Sequence, residues 1–191
     1  MKNFFDKPHE ITALEPCYGE RGGNATRIYT REGIVIVDDR RMQSFIKSLA
    51  RQMNADIQSM RQNYGKHLGC GQSVPLAFTE KLILAPVKMR IPLSQYDGAT
   101  GYINLDAYIK VEDAAPLSAE VPKCFILTRG GHRVPSYFSP AAIEKQIKQA
   151  NIARIYYCHL HDSNSKSGNE LAWLKWLWDL FDPPSGPGSR A

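Results

Sequence analysis

Residues Leu82–Glu112 read LILAPVKMRIPLSQYDGATGYINLDAYIKVE. Leu82–Ala85 is an unbroken apolar run of strand length, and Pro86, which cannot donate to a ladder, is read as its stop. A turn-rich stretch with Pro92, Ser94, Asp97 and Gly98 follows. From Tyr102 to Val111 apolar side chains recur at alternate positions (Ile103, Leu105, Ala107, Ile109, Val111), the period of one half-buried strand. The stretch predicts strand, long loop and strand, and it carries no constellation of nucleophile, base and acid. It reads as a scaffold for binding.

A second unit lies downstream. Phe125–Leu127 and Arg133-Val134 are joined through Thr128–His132, where Gly130 and Gly131 supply the positive φ of a tight hairpin. Ser139-Pro140 opens a helix, with Ser as cap and Pro in the first turn, where its missing amide costs nothing. Ile143, Ile147 and Ala150 form its inner face, with Lys145, Lys148 and Gln149 outward. Ile152–Cys158, rich in β-branched and aromatic residues, is read as a further strand.

Upstream, residues 1–25 are turn-rich and read as an irregular N-terminal segment. Arg27–Tyr29 and Ile34–Val37 flank a Gly33 turn as a hairpin, after which Asp38 or Asp39 is placed to cap a helix. Met42, Phe45, Ile46, Leu49 and Met53 have helical spacing, continued by Ile57 and Met60, with Gly65 as a stop. Lys47, Arg51 and Gln58 share its solvated face. Val74–Phe78 reads as an edge strand because of Pro75. At the other end, 161–170 is a polar linker, 171–182 an apolar Trp-rich helix and 183–191 a disordered tail. The predicted fold is α+β, mainly an antiparallel β-sheet scaffold with two or three packing helices and the extra apolar C-terminal helix. Its main region is 26–160, divisible near residues 112 and 122 into about 26–112 and 122–160.

The chain has 191 residues and a net charge of +5, compatible with a polyanionic partner. The charge is uneven. Lys123, Arg129, Arg133, Lys145, Lys148 and Arg154 face only Glu144 over that span, whereas Asp97–Glu120 is acidic. Four cysteines without a CxxC pair, a quickly charged start and no long apolar run predict a cytoplasmic protein with reduced thiols and no membrane segment.

Candidate chemistry is sparse. Cys158, His159 and His161, with His67 and Cys70, are the nearest approach to a metal cluster, but strand alternation would split the local ligands between two faces. Asp38 and Asp39 could join Asp97 or Asp106 in a two-metal site, but adjacent acids at a strand-to-helix junction are better read as helix caps. No catalytic residue, metal or cofactor is expected, and the enzyme alternative is a metal-dependent nuclease or phosphotransfer activity. A separate alternative is a protein-interaction module built on Trp173, Trp176, Leu177 and Leu180, whose stripe either closes the core or docks on a partner.

Val74-Pro75-Leu76, then Leu82–Pro86, then Gly101-Tyr102-Ile103 running to Tyr108-Ile109, resemble a pattern of the ComK family of competence transcription factors. The downstream hairpin and helix, Phe125–Ile147 with Glu144 and Gln146, are similar to that family's second unit, and also to part of the LytTR-type DNA-binding domain. The resemblance covers about residues 40–155. Where the family has a Gly-rich segment ending in Gly-Arg-Lys, near 55–62, only Arg61 stands here. The resemblance implies a non-enzymatic regulator that binds AT-rich double-stranded DNA as a homo-oligomer, with a large minor-groove component. Cations neutralise phosphates and read narrow grooves. Arg129 and His132 at the hairpin tip are the expected groove residues and Lys145 and Lys148 the expected flanking phosphate contacts; Arg133 and Arg154 are further DNA-binding candidates, and Arg61 and Lys66, beside His67, a second set.

Overall fold

The structure is a computed structural model describing residues 7–20, 22–71, 73–114, 118 and 120–161. Among these, β1 (Ile11–Tyr18), β2 (Asn24–Thr30), β3 (Val35–Asp38), β4 (Leu76–Thr79), β5 (Leu82–Lys88) and β6 (Thr100–Asn104) form one antiparallel sheet in the order β3-β2-β1-β6-β5-β4. β7 (Tyr108–Asp113), β8 (Cys124–Thr128) and β9 (Arg133–Ser136) form a second, antiparallel meander. The helices are α1 (Met42–Gln52), α2 (Ile57–Leu68) and α3 (Pro140–His161). The α+β class expected from the sequence is the one observed. The linker beyond His161, the Trp-rich 171–182 with Trp173, Trp176, Leu177 and Leu180, and the tail 183–191 lie outside the described residues.

The large sheet is covered on both faces. Leu14, Ile28, Leu84 and Tyr102 pack with Met42, Phe45, Ile46 and Leu49 of α1. Ala13, Ile83, Ala85 and Ile103 point the other way, onto Ile143, Ile147 and Ala150 of α3 and Cys124, Ile126 and Val134 of the small sheet. β5 is therefore buried on both sides, which is why its sequence is continuously apolar rather than alternating. The segments 26–112 and 122–160 share this second cluster.

Several expectations are overturned. The irregular reading of residues 1–25 fails over Ile11–Tyr18, a strand between β2 and β6 that is buried for seven of its eight residues. Glu15 is tolerated there because Arg27 Nη1 lies 2.8 Å from its Oε2 and Tyr29 Oη donates to the same oxygen. Burial and that carboxylate push the Tyr29 phenol far above its ordinary value. Pro86 does not end β5. It lies beyond the start of β4, where the strand has a neighbour on one side only and a missing amide is harmless.

Tyr102–Val111 is not one strand. At Asn104 the chain enters a 3-10 turn, Leu105–Ala107, and leaves for the second sheet. The buried Asn104 fixes the corner, its Nδ2 donating to the carbonyls of Ile11 (2.8 Å) and Lys81 (3.1 Å), while its Oδ1 accepts from the Asp106 amide. The long helix expected from Met42 is two helices. Asn54 adopts φ 50°, Asp56 caps α2 by accepting from the Gln58 amide at 2.9 Å, and α2 runs through Gly65 to a left-handed Gly69. Neither Asp38 nor Asp39 caps α1, since Arg41 is its N-cap with no side-chain bond and Asp38 is clasped by Arg40.

Ile152–Cys158 is not a strand but the second half of α3, opened as expected by Ser139 Oγ accepting from the Ala142 amide. Ile152, Ala153, Tyr156 and Tyr157 have helical spacing, and packing against the sheet overrides their β propensity. Gln149, expected outside, is 5% exposed.

Gly101 shows how tightly β6 sits on β1. A Cβ there would lie well inside van der Waals contact with Met89 Sδ and the Leu14 carbonyl oxygen, and 3.0 Å from Pro16 Cδ. Gly101→Ala is expected to cost about 1–3 kcal/mol through overpacking, read as a lower urea midpoint at unchanged m-value.

Candidate nucleic-acid interface

The predicted cations fall on two separate parts of the fold. The β8–β9 turn is not a projecting finger. A Cβ on Gly130 would collide with the Thr30 and Arg31 carbonyls, the Arg129 amide donates to the Ala107 carbonyl at 2.8 Å, and His132 Nε2 lies 3.0 Å from the Thr30 carbonyl. The His132 ring also meets Tyr29 edge-on, with centroids 5.0 Å apart. His132 is thus a packing residue that anchors the hairpin to the β2–β3 turn. Arg133 lies over the Phe125 ring and donates to Glu112 Oε2 at 3.2 Å. Lys110, first, and then Arg133 hold the Glu112 carboxyl below its ordinary range. Arg133 stays exposed in that pair, and Arg129 is the basic side chain of this tip that is exposed without an ion pair among the described residues.

The second group is on the helices. Tyr64 and Leu68 are the buried side of α2, which turns Arg61 and Lys66 outward. Lys145 and Lys148 occupy the exposed side of α3. The two helices meet where Tyr64 and His67 pack on the Tyr156 ring, at centroid distances of 5.5 and 4.9 Å. Lys145 comes close enough to the end of α2 to act on Cys70: burial pushes this thiol up, while a backbone hydrogen bond and, after it, the Lys145 ammonium pull it part of the way back. Burial likewise raises the Tyr102 phenol, against the pull of Arg61 beside it. Arg154 is half-buried, its Nη2 donating to Asn151 Oδ1 at 3.1 Å.

Glu144 is the one acid of α3, and it accepts from Tyr108 Oη of the small sheet. Lys66, Lys145 and Lys148 therefore have no ion pair among the described residues. The span 41–68 is cationic too, with Arg41, Lys47, Arg51, Arg61 and Lys66 against Asp56 alone, but α1 covers the opposite face of the large sheet from α3. Arg40 and Arg51 line an open groove of about 310 Å³ with Ser48 and Gln52.

The other candidate chemistries are dispersed. Among the described residues no three His, Cys, Asp or Glu side chains form a group able to hold a metal ion. Asp38 is held by Arg40, Asp106 by Arg31, and Asp97 by Tyr18 and Asn24. The four cysteines are unbridged thiols, and no helix of the described residues is long and apolar enough to cross a membrane. The fold defines the class of protein, an α+β domain of two antiparallel sheets with a cationic helical face. No protein-family model, no curated protein and no solved structure matches the chain.

One exposed feature was passed over in the sequence, the loop between β5 and β6. Leu93 and Tyr96 are 84% and 86% exposed, yet the loop beneath them is strutted. Tyr18 Oη and Asn24 Nδ2 each donate to Asp97 at 2.7 Å, the Ser94 amide donates to Asp97 Oδ2, and the Leu93 amide donates to Tyr18 Oη at 3.0 Å. Arg90 stacks on the Tyr18 ring, donates to the carbonyls of Gly98 and Cys17, and bonds Asn24. The only signal was two large apolar side chains inside a turn-rich run.

Two measurements check this geometry. In Lys145→Ala the pH midpoint of Cys70 alkylation, followed by peptide mass, should move up; an unmoved midpoint would separate the two helices' charges. For the loop, hydrogen bonds from Asn24 and then Tyr18 hold the Asp97 carboxyl below its ordinary value. Its stabilisation is therefore complete above about pH 4 and is lost as pH falls through the lower folded value. Hydrogen-exchange protection at the Leu93 and Ser94 amides should drop on acidification and be weak at every pH in Asp97→Ala.

Proposed function

We propose that this chain is a cytoplasmic, DNA-binding transcription regulator of the competence type, acting without chemistry of its own on AT-rich double-stranded DNA. The observation that carries the reading is the α2–α3 face. Lys66, Lys145 and Lys148 are exposed there without ion pairs among the described residues, Arg61 lies along the same helix, and the one acid of α3 is bound to Tyr108. Unpaired ammonium groups on a rigid surface release condensed counterions when they meet phosphate, which is affinity independent of sequence. The resemblance to the ComK family over about residues 40–155 supports the preference for AT-rich duplexes, and the unbridged cysteines fit a reducing compartment.

The hairpin has a smaller part in this reading than its glycines suggested. His132 is occupied by Thr30 and Arg133 by Glu112, so only Arg129 is available for a phosphate or groove contact. Binding to an AT-rich duplex should weaken steeply as salt rises. The variant Lys66→Ala/Lys145→Ala/Lys148→Ala should reduce the slope of log K against log salt by roughly 3, about one per lost phosphate contact. A parent that fails to bind duplex DNA at low salt, or a variant with the parent's slope, would sink the assignment.

A further inference from the structure

We infer that the tip of the β5–β6 loop, Leu93 with Tyr96, is an apolar wedge that enters a base step of the bound duplex. This rests on the DNA-binding reading and assigns it a residue pair that no charge argument finds. Ile91, Leu93 and Tyr96 are 41%, 84% and 86% exposed. Large apolar side chains held outward on a strutted loop have given up, before binding, the ordering cost that a mobile loop would meet on contact. The struts are specific: Asp97 turns its carboxylate to Tyr18 and Asn24, and Arg90 bonds the Gly98 carbonyl at the loop's far side.

Size and position choose the occupant. Three side chains of this kind cover on the order of 400 Å², about half of the roughly 800 Å² that one partner contributes to a standard protein interface. The tip is too small to hold a protein alone. A wedge needs only one or two apolar side chains, provided that the affinity comes from elsewhere, because unstacking one step costs a few kcal/mol. The loop base at Lys88 accepts, through its carbonyl, from the Tyr137 amide at 2.9 Å, and α3 begins at Pro140. Lys145 and Lys148 then follow within roughly 12 Å of rise along the helix. Lys88 and Lys123 lie at the same end, with no ion pair among the described residues. The loop base and the start of the cationic helix thus share one end of β5.

The test uses the full chain and an AT-rich duplex carrying 2-aminopurine at successive positions and a dye at each end. The parent should raise 2-aminopurine emission several-fold at one step and bring the ends closer by energy transfer. Leu93→Ser/Tyr96→Ser should keep the salt-dependent binding, weakened roughly tenfold, and lose both signals. Both positions are solvent-facing, so an unchanged circular dichroism spectrum and thermal midpoint are expected. A bound parent that neither unstacks nor bends the duplex, or a double variant that does both like the parent, overturns the wedge and leaves the DNA-binding reading standing. Absence of any salt-dependent binding by the parent overturns both.

Discussion

The burial of β5 on both faces is the constraint on which the rest of the molecule depends. Leu82 and Leu84 serve the core under α1, while Ile83, Ala85 and Val87 serve the core under α3 and the small sheet. A strand with two dry faces cannot sit at a solvated surface, so each face must be covered, and the two halves of the chain supply the two covers. Burying a Leu or Ile side chain of this kind stabilises by about 1.5–3 kcal/mol, and β5 does so alternately for both layers. The small sheet then needs no core of its own, because Cys124, Ile126 and Val134 complete the second layer.

How far the sequence could be read follows from the same physics. β5 and the stripe Met42, Phe45, Ile46, Leu49 were legible because local pattern and tertiary role agree. The hairpins at Gly33 and at Gly130-Gly131 were legible because only glycine adopts their φ values cheaply. β1 was not legible, since Glu15 and Pro16 contradict a central strand locally. What excuses them is remote: Arg27 and Tyr29 answer the carboxylate, and Gly101 clears a space beside the proline ring. The second half of α3 failed for the opposite reason, its β-branched and aromatic residues being strong local signals that packing overrides.

The candidate site divides along the same line. Exposure of Lys66, Lys145 and Lys148 could be read from helical periodicity, because solvated faces follow from spacing alone. Whether a cation is already taken could not. Arg133 looks equivalent to Lys145 in sequence, yet Glu112 faces it across the ladder that β8 makes between β7 and β9. His132 looks like a tip residue, but the tip is docked, and the docking partner Thr30 lies 102 residues earlier. Long-range pairing decides which charges remain for a ligand.

The β5–β6 loop connects these levels. Its base is the open end of β5, where the strand emerges from between the two layers at Lys88 and Met89. Tyr18 and Asn24, at the facing ends of β1 and β2, hold Asp97 through 2.7 Å bonds, so the loop's geometry is set by the ends of the β1–β2 hairpin. Such a loop cannot relax its apolar tip back onto the sheet without breaking several hydrogen bonds at once, each worth about 1 kcal/mol. Exposed Leu93 and Tyr96 are therefore a state the fold maintains, and a cationic helix beginning beside the loop base places charge where a partner touching that tip would meet it.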